Sequence, residues 1–268
     1  MPKKSLTIAH ISDFHTGSQY FIPNLMSRTI EELNQLDPDI VVVTGDITDF
    51  GFEQEYKTAE TFFSLLKCER RVLVPGNHDS RNVGYLHFEE AFGARNSVLE
   101  YQGIRIIGTD SSEPDLDNGR IGRERYRWME EQFADPEEYK VFALHHHLLP
   151  VPGTGRERNI VYDAGDLLEV LLKCGVDLVL CGHKHVPYVW RLESLIVVNA
   201  GTAASLRLRG RTKPCYNIIS LGEDRVEISR KYPYGQKERI AEFSCSEHSS
   251  RHWERMGVEA PPGVVADR

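Results

Sequence analysis

Five short fragments combine residue types that hold metal ions: Ser12-Asp13-Phe14-His15, Gly45-Asp46-Ile47-Thr48-Asp49, Gly76-Asn77-His78-Asp79, Leu144-His145-His146-His147 and Gly182-His183-Lys184-His185. Carboxylate and amide oxygens are hard donors and imidazole nitrogens borderline ones, a set suited to Mn, Fe or Zn that requires no thiolate. Asp13 and His15 stand two apart, as do His183 and His185. On an extended segment such residues project the same way, so each pair can grip an ion. Asp13, His15, Asp46, Asn77, His145, His183 and His185 are too many ligands for one tetrahedral ion. They fit two ions roughly 3.5–4 Å apart that share a carboxylate, for which Asp46 is the choice. Two such cations polarise a phosphoryl oxygen and lower the pKa of a bridging water, making hydroxide available for in-line attack on phosphorus.

Each fragment also has a plainer meaning. A lone Asp-x-His or His-x-His is commonly a hydrogen-bonded surface pair, Asn77 alone is a turn residue after Pro75-Gly76, and Asp46 and Asp49 alone suit a helix cap. Arg81 is either a solvated charge or a phosphate contact. The joint occurrence carries the inference, as does position: each fragment follows an apolar, strand-like run. In open α/β sheets the loops that leave the carboxyl ends of strands converge on one crevice.

The elements that must deliver these loops are visible in the periodicity. Strands are expected at Leu6–Ile11, Ile40–Thr44, Arg71–Val74, Ile104–Gly108, 140–144 and 177–181, followed by 186–191 and Leu195–Asn199. One amphipathic stripe runs through Leu25, Ile30, Leu33 and Leu36, ended by Asp37-Pro38, and another through Tyr56, Ala59, Phe62, Phe63 and Leu66. Segments 124–133 and 166–172 are similar, with Tyr126 and Trp128 read as core, whereas 113–123 and 151–159 have the Pro, Gly and charge of loops. The class is α/β. After Gly201 strands resume at Tyr216–Leu221 and Arg225–Lys231 and are expected to complete a second sheet. Residues 1–243 form one expected domain, and the polar stretch 244–268, with its Pro-Pro-Gly, reads as a mobile or partner-contacting tail.

With D-x-H, G-D-x-x-D, G-N-H-D, H and G-H-x-H in order over about residues 6–201, the sequence resembles the calcineurin-like metallophosphoesterases. The resemblance implies a four-layer αββα sandwich of two mixed sheets. It implies that Asp13, His15, Asp46 and His185 hold one ion and Asp46, Asn77, His145 and His183 the other. It further implies that His78 contacts phosphate and protonates the leaving group, that Asp79 orients the His78 ring, and that Asp49 stands behind the ligands. The histidine triplet admits two alignments. Placing Leu144 at the strand end makes His145 the ligand and leaves His146 and His147 in the pocket; a shift by one residue makes it His146.

Serine/threonine phosphatases of the superfamily carry arginines in G-D-x-V-D-R-G and R-G-N-H-E, which are absent from Thr48-Asp49-Phe50-Gly51 and Pro75-Gly76-Asn77-His78-Asp79. The chain is more similar to the small bacterial cyclic-nucleotide and glycerophosphodiester phosphodiesterases. Hydrolysis of a small phosphodiester is therefore expected, with His78, Asp79 and Asp46 catalytic and Asn77, His78 and Arg81 on the substrate. The alternatives are a broad phosphomonoesterase or nuclease of the same superfamily, or a metal-binding module without catalysis.

Composition bounds this picture. The 40% hydrophobic and 27% charged fractions are those of a globular protein, and the net charge of −8 disfavours an extended surface for nucleic acid. It does not exclude a small phosphoester, because bound cations add charge that side-chain counting omits. The expected partners are that substrate and, in a homo-oligomer, further copies of the chain. No membrane is expected. The start MPKKSLTIAHIS lacks the apolar run of a signal peptide, and Cys68, Cys174, Cys181, Cys215 and Cys245 lack paired spacing, so a cytoplasmic location with reduced thiols follows.

Overall fold

In the computed structural model the described residues are 5–244 except Glu137 and Asp224, so the expected tail 244–268 lies outside them save for Ser244, which ends the last strand. The elements in chain order are β1 (Leu6–Ile11), α1 (Pro23–Leu36), β2 (Ile40–Thr44), α2 (Glu53–Phe63), β3 (Arg71–Val74), α3 (Gly84–Phe92), β4 (Ser97–Tyr101), β5 (Ile104–Gly108), α4 (Arg123–Gln132), β6 (Tyr139–Ala143), α5 (Ala164–Lys173), β7 (Leu178–Cys181), β8 (Tyr188–Leu192), β9 (Leu195–Asn199), β10 (Tyr216–Leu221), β11 (Arg225–Lys231) and β12 (Lys237–Ser244).

They form two six-stranded sheets, β12-β11-β10-β1-β2-β3 and β4-β5-β6-β7-β9-β8. β1, β2 and β3 run parallel, as do β5, β6, β7 and β9, and the outer strands are antiparallel. Runs such as Ile-Val-Val-Val-Thr in β2 and Leu-Val-Leu-Cys in β7 are buried on both faces, which is why they read as continuous apolar stretches. Alternation sorts them into layers. Leu6 and Ile8 of β1 join Val42, Val72, Ile106, Val141, Leu180 and Val198 between the sheets. Ala9 and Ile11 face outward to Met26, Ile30 and Leu33 of α1 and Tyr56 and Phe63 of α2. Phe142, Val179 and Val197 of the other sheet meet Met129 of α4 and Leu167 and Leu171 of α5. The result is an αββα sandwich, in which each such buried Val, Ile or Leu contributes roughly 1.5–3 kcal/mol.

α1 starts with Pro23 in its first turn and stops at Asp37, whose left-handed backbone lets its N–H reach the Leu33 carbonyl at 3.0 Å. One expectation is corrected here. The strands after Gly201 do not complete the second sheet: β10 pairs antiparallel with β1, with Leu6 opposite Leu221, so β10–β12 extend the first sheet. The edge of β1 not taken by β2 is the free template, while the second sheet is closed out by β4 and β8. Among the described residues no helix is long and apolar enough to cross a membrane.

Candidate metal centre

β1, β2, β3, β6 and β7 end at Ile11, Thr44, Val74, Ala143 and Cys181, and the residues that follow them meet across the two sheets. Backbone bonds stitch these loops together: Asp13 N–H to Gly45 C=O at 3.0 Å, His15 N–H to Asp46 C=O at 2.9 Å, and Gly182 N–H to His145 C=O at 2.9 Å. The turns are tight. Asp13 (φ 57°), His15 (53°), Asp46 (50°), His183 (69°) and His185 (55°) all adopt the left-handed region that non-glycine residues avoid. Such strain persists only where the surroundings over-determine it, and it gathers at functional sites. Gly45 at φ 83° is required as well, since a Cβ there would lie 2.6 Å from the Gly76 nitrogen and 2.8 Å from His145 Nδ1.

Two ligand clusters result, both buried. Asp13, His15, Asp46 and His185 present ligand atoms within 4.8 Å of one another, and so do Asp46, His145 and His183. Within the first, His15 Nε2 faces His185 Nε2 at 3.0 Å, and His185 Nε2 lies 3.1 Å from Asp13 Oδ1. Within the second, Asn77 Oδ1 is 3.2 Å from His145 Nε2 and 3.0 Å from His183 Nδ1. Asp46 Oδ2 lies between the clusters, 3.7 Å from His15 Nε2 and 3.4 Å from His145 Nε2, while its Oδ1 accepts the His78 N–H at 3.0 Å.

The far ring nitrogens show that these donors fit cations. His145 Nδ1 donates to the Thr44 carbonyl at 2.6 Å, His185 Nδ1 donates to the Arg207 carbonyl, and His15 Nδ1 faces the Asp49 carboxylate at 3.2 Å. A carbonyl can only accept, so the proton is fixed on Nδ1 and the Nε2 lone pair is turned into the cage, which is the arrangement that orients metal-ligating imidazoles. Burial lowers His15 to about 4 and, with the neighbouring imidazoles, holds His183 well below its ordinary value. At His145 the downward push of burial is outweighed by Asp46 and Asp13, which raise it to about 9. Burial pushes Asp46 and Asp13 up, but the facing histidines more than offset it and both carboxyls fall below the usual range. A cation would replace the proton that Asp46 and Asp13 otherwise hold on His145.

His78 sits at the edge of this centre, its ring 4.6 Å from that of His15. Its Nδ1 donates to the Asp49 carbonyl at 2.7 Å and lies 3.3 Å from the Asp49 carboxylate. The expectation that Asp79 orients this ring is corrected. Asp79 spends its oxygens on the backbone N–H groups of Ile47, Thr48 and Gly76 and on the Thr48 hydroxyl, at 2.8–3.1 Å, so it clamps the Gly45 and Gly76 loops to each other. Burial and Asp46 raise its pKa to about 6. Arg81 is at the site too, with Nη1 3.0 Å from His78 Nδ1 and Nη2 bonded to Asp117 at 2.9 Å.

The triplet diverges. His145 points into the second cluster, whereas His146 bonds Ser111 Oγ at 2.9 Å and the Asp117 carbonyl at 3.2 Å. His147 stacks on His183 at 5.6 Å and bonds Glu157 at 2.7 Å, which also takes an ion pair from buried Lys184 at 2.8 Å. Three residues in contact with the site carried no motif: Asp117, Glu157 and Arg207. Arg207 reaches Asp49 Oδ1 at 3.0 Å and His78 Nε2 at 3.3 Å. The signal that points to it is the arginine at every second position, 207, 209 and 211, in the loop before β10.

A sandwich with these Asp, Asn and His donors gathered at its strand ends is the architecture of a metallophosphoesterase. The chain belongs to the calcineurin-like phosphoesterase family, whose model matches residues 6–187. It is 32% identical to a probable glycerophosphodiester phosphodiesterase of Arcobacter nitrofigilis, over 74% of this chain and 78% of that one. It is 31% identical to a cAMP/cGMP dual-specificity phosphodiesterase of Mycobacterium tuberculosis, over 97% of this chain and 90% of that one. Its fold matches a dimetal phosphatase of Danio rerio with a TM-score of 0.68 at 13% identity, covering 90% of this chain and 99% of that one.

Proposed function

We propose that the chain is a phosphodiesterase that hydrolyses small phosphodiesters, cyclic nucleotides or glycerophosphodiesters, at a pair of Mn, Fe or Zn ions. The relatives named for those substrates support the substrate class. The observation that carries the reading is the placement of Asp46 Oδ2 between two ligand clusters, 3.7 Å from His15 and 3.4 Å from His145. Asp13, His15, Asp46 and His185 would hold one ion and Asp46, Asn77, His145 and His183 the other. When bound, the ions polarise the phosphoryl group and lower the pKa of water beside it.

The chain supplies the remaining functions. With Nδ1 committed to the Asp49 carbonyl, His78 keeps Nε2, which lies 3.3 Å from Arg207 Nη1, as the nitrogen that would pass a proton to the departing oxygen. Arg81 and Asn77 would bind the phosphoryl oxygens, and Asp79 holds the two loops that carry Asp46, Asn77 and His78 in one geometry. Because both clusters draw on both sheets, residues 1–243 act as one catalytic domain. A cytoplasmic setting suits the four described cysteines, all of them free thiols.

Turnover of bis(p-nitrophenyl) phosphate is the test. Hydrolysis should vanish on chelation and return with Mn²⁺, and a protein inert with every divalent metal would refute the proposal.

A further inference from the structure

Beside His78 the surface opens into a cavity of about 400 Å³ whose walls include Tyr20, Asp49, Phe50, Arg81 and Arg207. Two guanidinium groups lean on the His78 ring from opposite sides, Arg81 at Nδ1 (3.0 Å) and Arg207 at Nε2 (3.3 Å). Each is held by one carboxylate, Arg81 by Asp117 at 2.9 Å and Arg207 by Asp49 at 3.0 Å. A guanidinium has five N–H donors, so both retain donors for a ligand.

The remaining wall is aromatic. Tyr20 and Phe50 are each 45% exposed although both are large and apolar-bodied, and Phe50 stacks on Phe52 at 5.9 Å with an interplanar angle of 23°. These side chains stand on fixed backbone. One Glu55 oxygen accepts the N–H groups of Phe50 and Phe52, at 2.8 and 3.3 Å, and the Tyr20 carbonyl accepts the Leu206 N–H at 2.8 Å. Tyr20 is thereby tied to the loop that carries Arg207. Exposed apolar side chains scattered singly need no explanation, but two that converge with two arginines on one cavity at a phosphoesterase centre do.

We propose that this cavity is the subsite for one ester arm of the substrate: Arg207 contacts the phosphoryl oxygens, and the faces of Tyr20 and Phe50 receive a planar arm, a nucleobase or another aryl group, in preference to glycerol. The guanidinium fork matches phosphoryl oxygens in shape and charge. Base-on-aromatic stacking amounts to about tenfold in affinity per stacked base and tolerates any planar ring. The inference rests on the phosphodiesterase reading above, and its test separates the two.

With Mn²⁺-loaded protein, Arg207→Ala should lower kcat/KM for bis(p-nitrophenyl) phosphate by about 10²-fold and weaken inhibition by inorganic phosphate about tenfold, with metal content and Tm retained. Arg207→Gln, which keeps a hydrogen-bond donor for Asp49, guards against a folding effect and should show the same weakened phosphate inhibition. The double variant Tyr20→Ala/Phe50→Ala should raise KM about tenfold more for the aryl diester than for glycerophosphoethanolamine. Unchanged phosphate affinity in both Arg207 variants overturns the phosphoryl contact, and equal KM shifts on the two diesters overturn the aryl subsite. Should the wild type hydrolyse no diester, the phosphodiesterase reading fails by itself. Calorimetric binding of phosphate and p-nitrophenyl phosphate then still reads both sets of variants, with the same expected losses.

Discussion

The two ligand clusters share Asp46 but differ in charge and in what stands behind them. The first pairs two carboxylates, Asp13 and Asp46, with His15 and His185. The second has Asp46 as its only carboxylate, beside the neutral amide of Asn77 and the rings of His145 and His183. Behind the first lie a further carboxylate, Asp49, and the Arg207 carbonyl. Behind the second lie the Thr44 carbonyl and a bank of rings, His146 at 4.8 Å and His147 at 5.6 Å from His183. A cation in the first would be held by two carboxylates, whereas one in the second would have Asp46 alone and depend more on imidazole geometry and an amide oxygen. The clusters should therefore release their ions unequally, the second before the first.

The largest effect is expected where the comparison collapses. Asp46→Asn removes the carboxylate common to both clusters, and kcat should fall by at least about 10³-fold, roughly 4 kcal/mol of barrier. Metal analysis should show both ions weakened; retention of both would break the shared-bridge reading. Asn77→Ala separates the clusters. It removes a donor from the second alone, so one ion per chain should remain after dialysis and kcat should fall by about 10²-fold. Loss of both ions at once would show that the two clusters bind as a unit, and the contrast drawn above would be wrong.

How far the site was legible in the sequence follows the same division. Strands such as β2 and β9, buried on both faces, announce themselves as unbroken apolar runs, and the fragments at their carboxyl ends could be joined because that end of a parallel sheet is where loops gather. β4 and β12 were not legible. Their half-exposed patterns, as in Ser-Val-Leu-Glu-Tyr and Lys-Glu-Arg-Ile-Ala-Glu-Phe-Ser, belong to edge strands that need not bury both faces. α3 is short and opens on Gly84 with no side-chain cap, so its stripe of Phe88 and Phe92 was hidden. Which sheet receives β10 is a question of which edge is free, and no local pattern encodes that. The second carboxylate in the Asp46 loop was visible, but its role was misassigned to Asp79: both follow a ligand by two or three residues, and only the fold shows that Asp79 turns to backbone amides while Asp49 faces the rings. Arg207 had no motif at all, because its role comes from a loop that crosses to the site from the far end of the chain.

The smallest expected effect tests the boundary of the second cluster. His146 is as buried as His145 and its neighbour in sequence, yet its ring has no lone pair to give. The Asp117 carbonyl can only accept, so His146 Nε2 carries the proton and donates at 3.2 Å. Nδ1 is then the acceptor for the Ser111 hydroxyl at 2.9 Å, and Ser111 in turn accepts the His146 N–H at 3.2 Å. His145 makes the opposite use of its ring, donating through Nδ1 and turning Nε2 toward Asp46. His146→Gln should therefore cost about 1–2 kcal/mol of stability through the lost or weakened pair of hydrogen bonds, read as a lower denaturation midpoint. The substituted protein should still hold two ions, with kcat changed by no more than about threefold, some 0.65 kcal/mol of barrier. If it loses the ion that Asn77→Ala loses, the triplet is aligned one residue too early and His146 is the ligand.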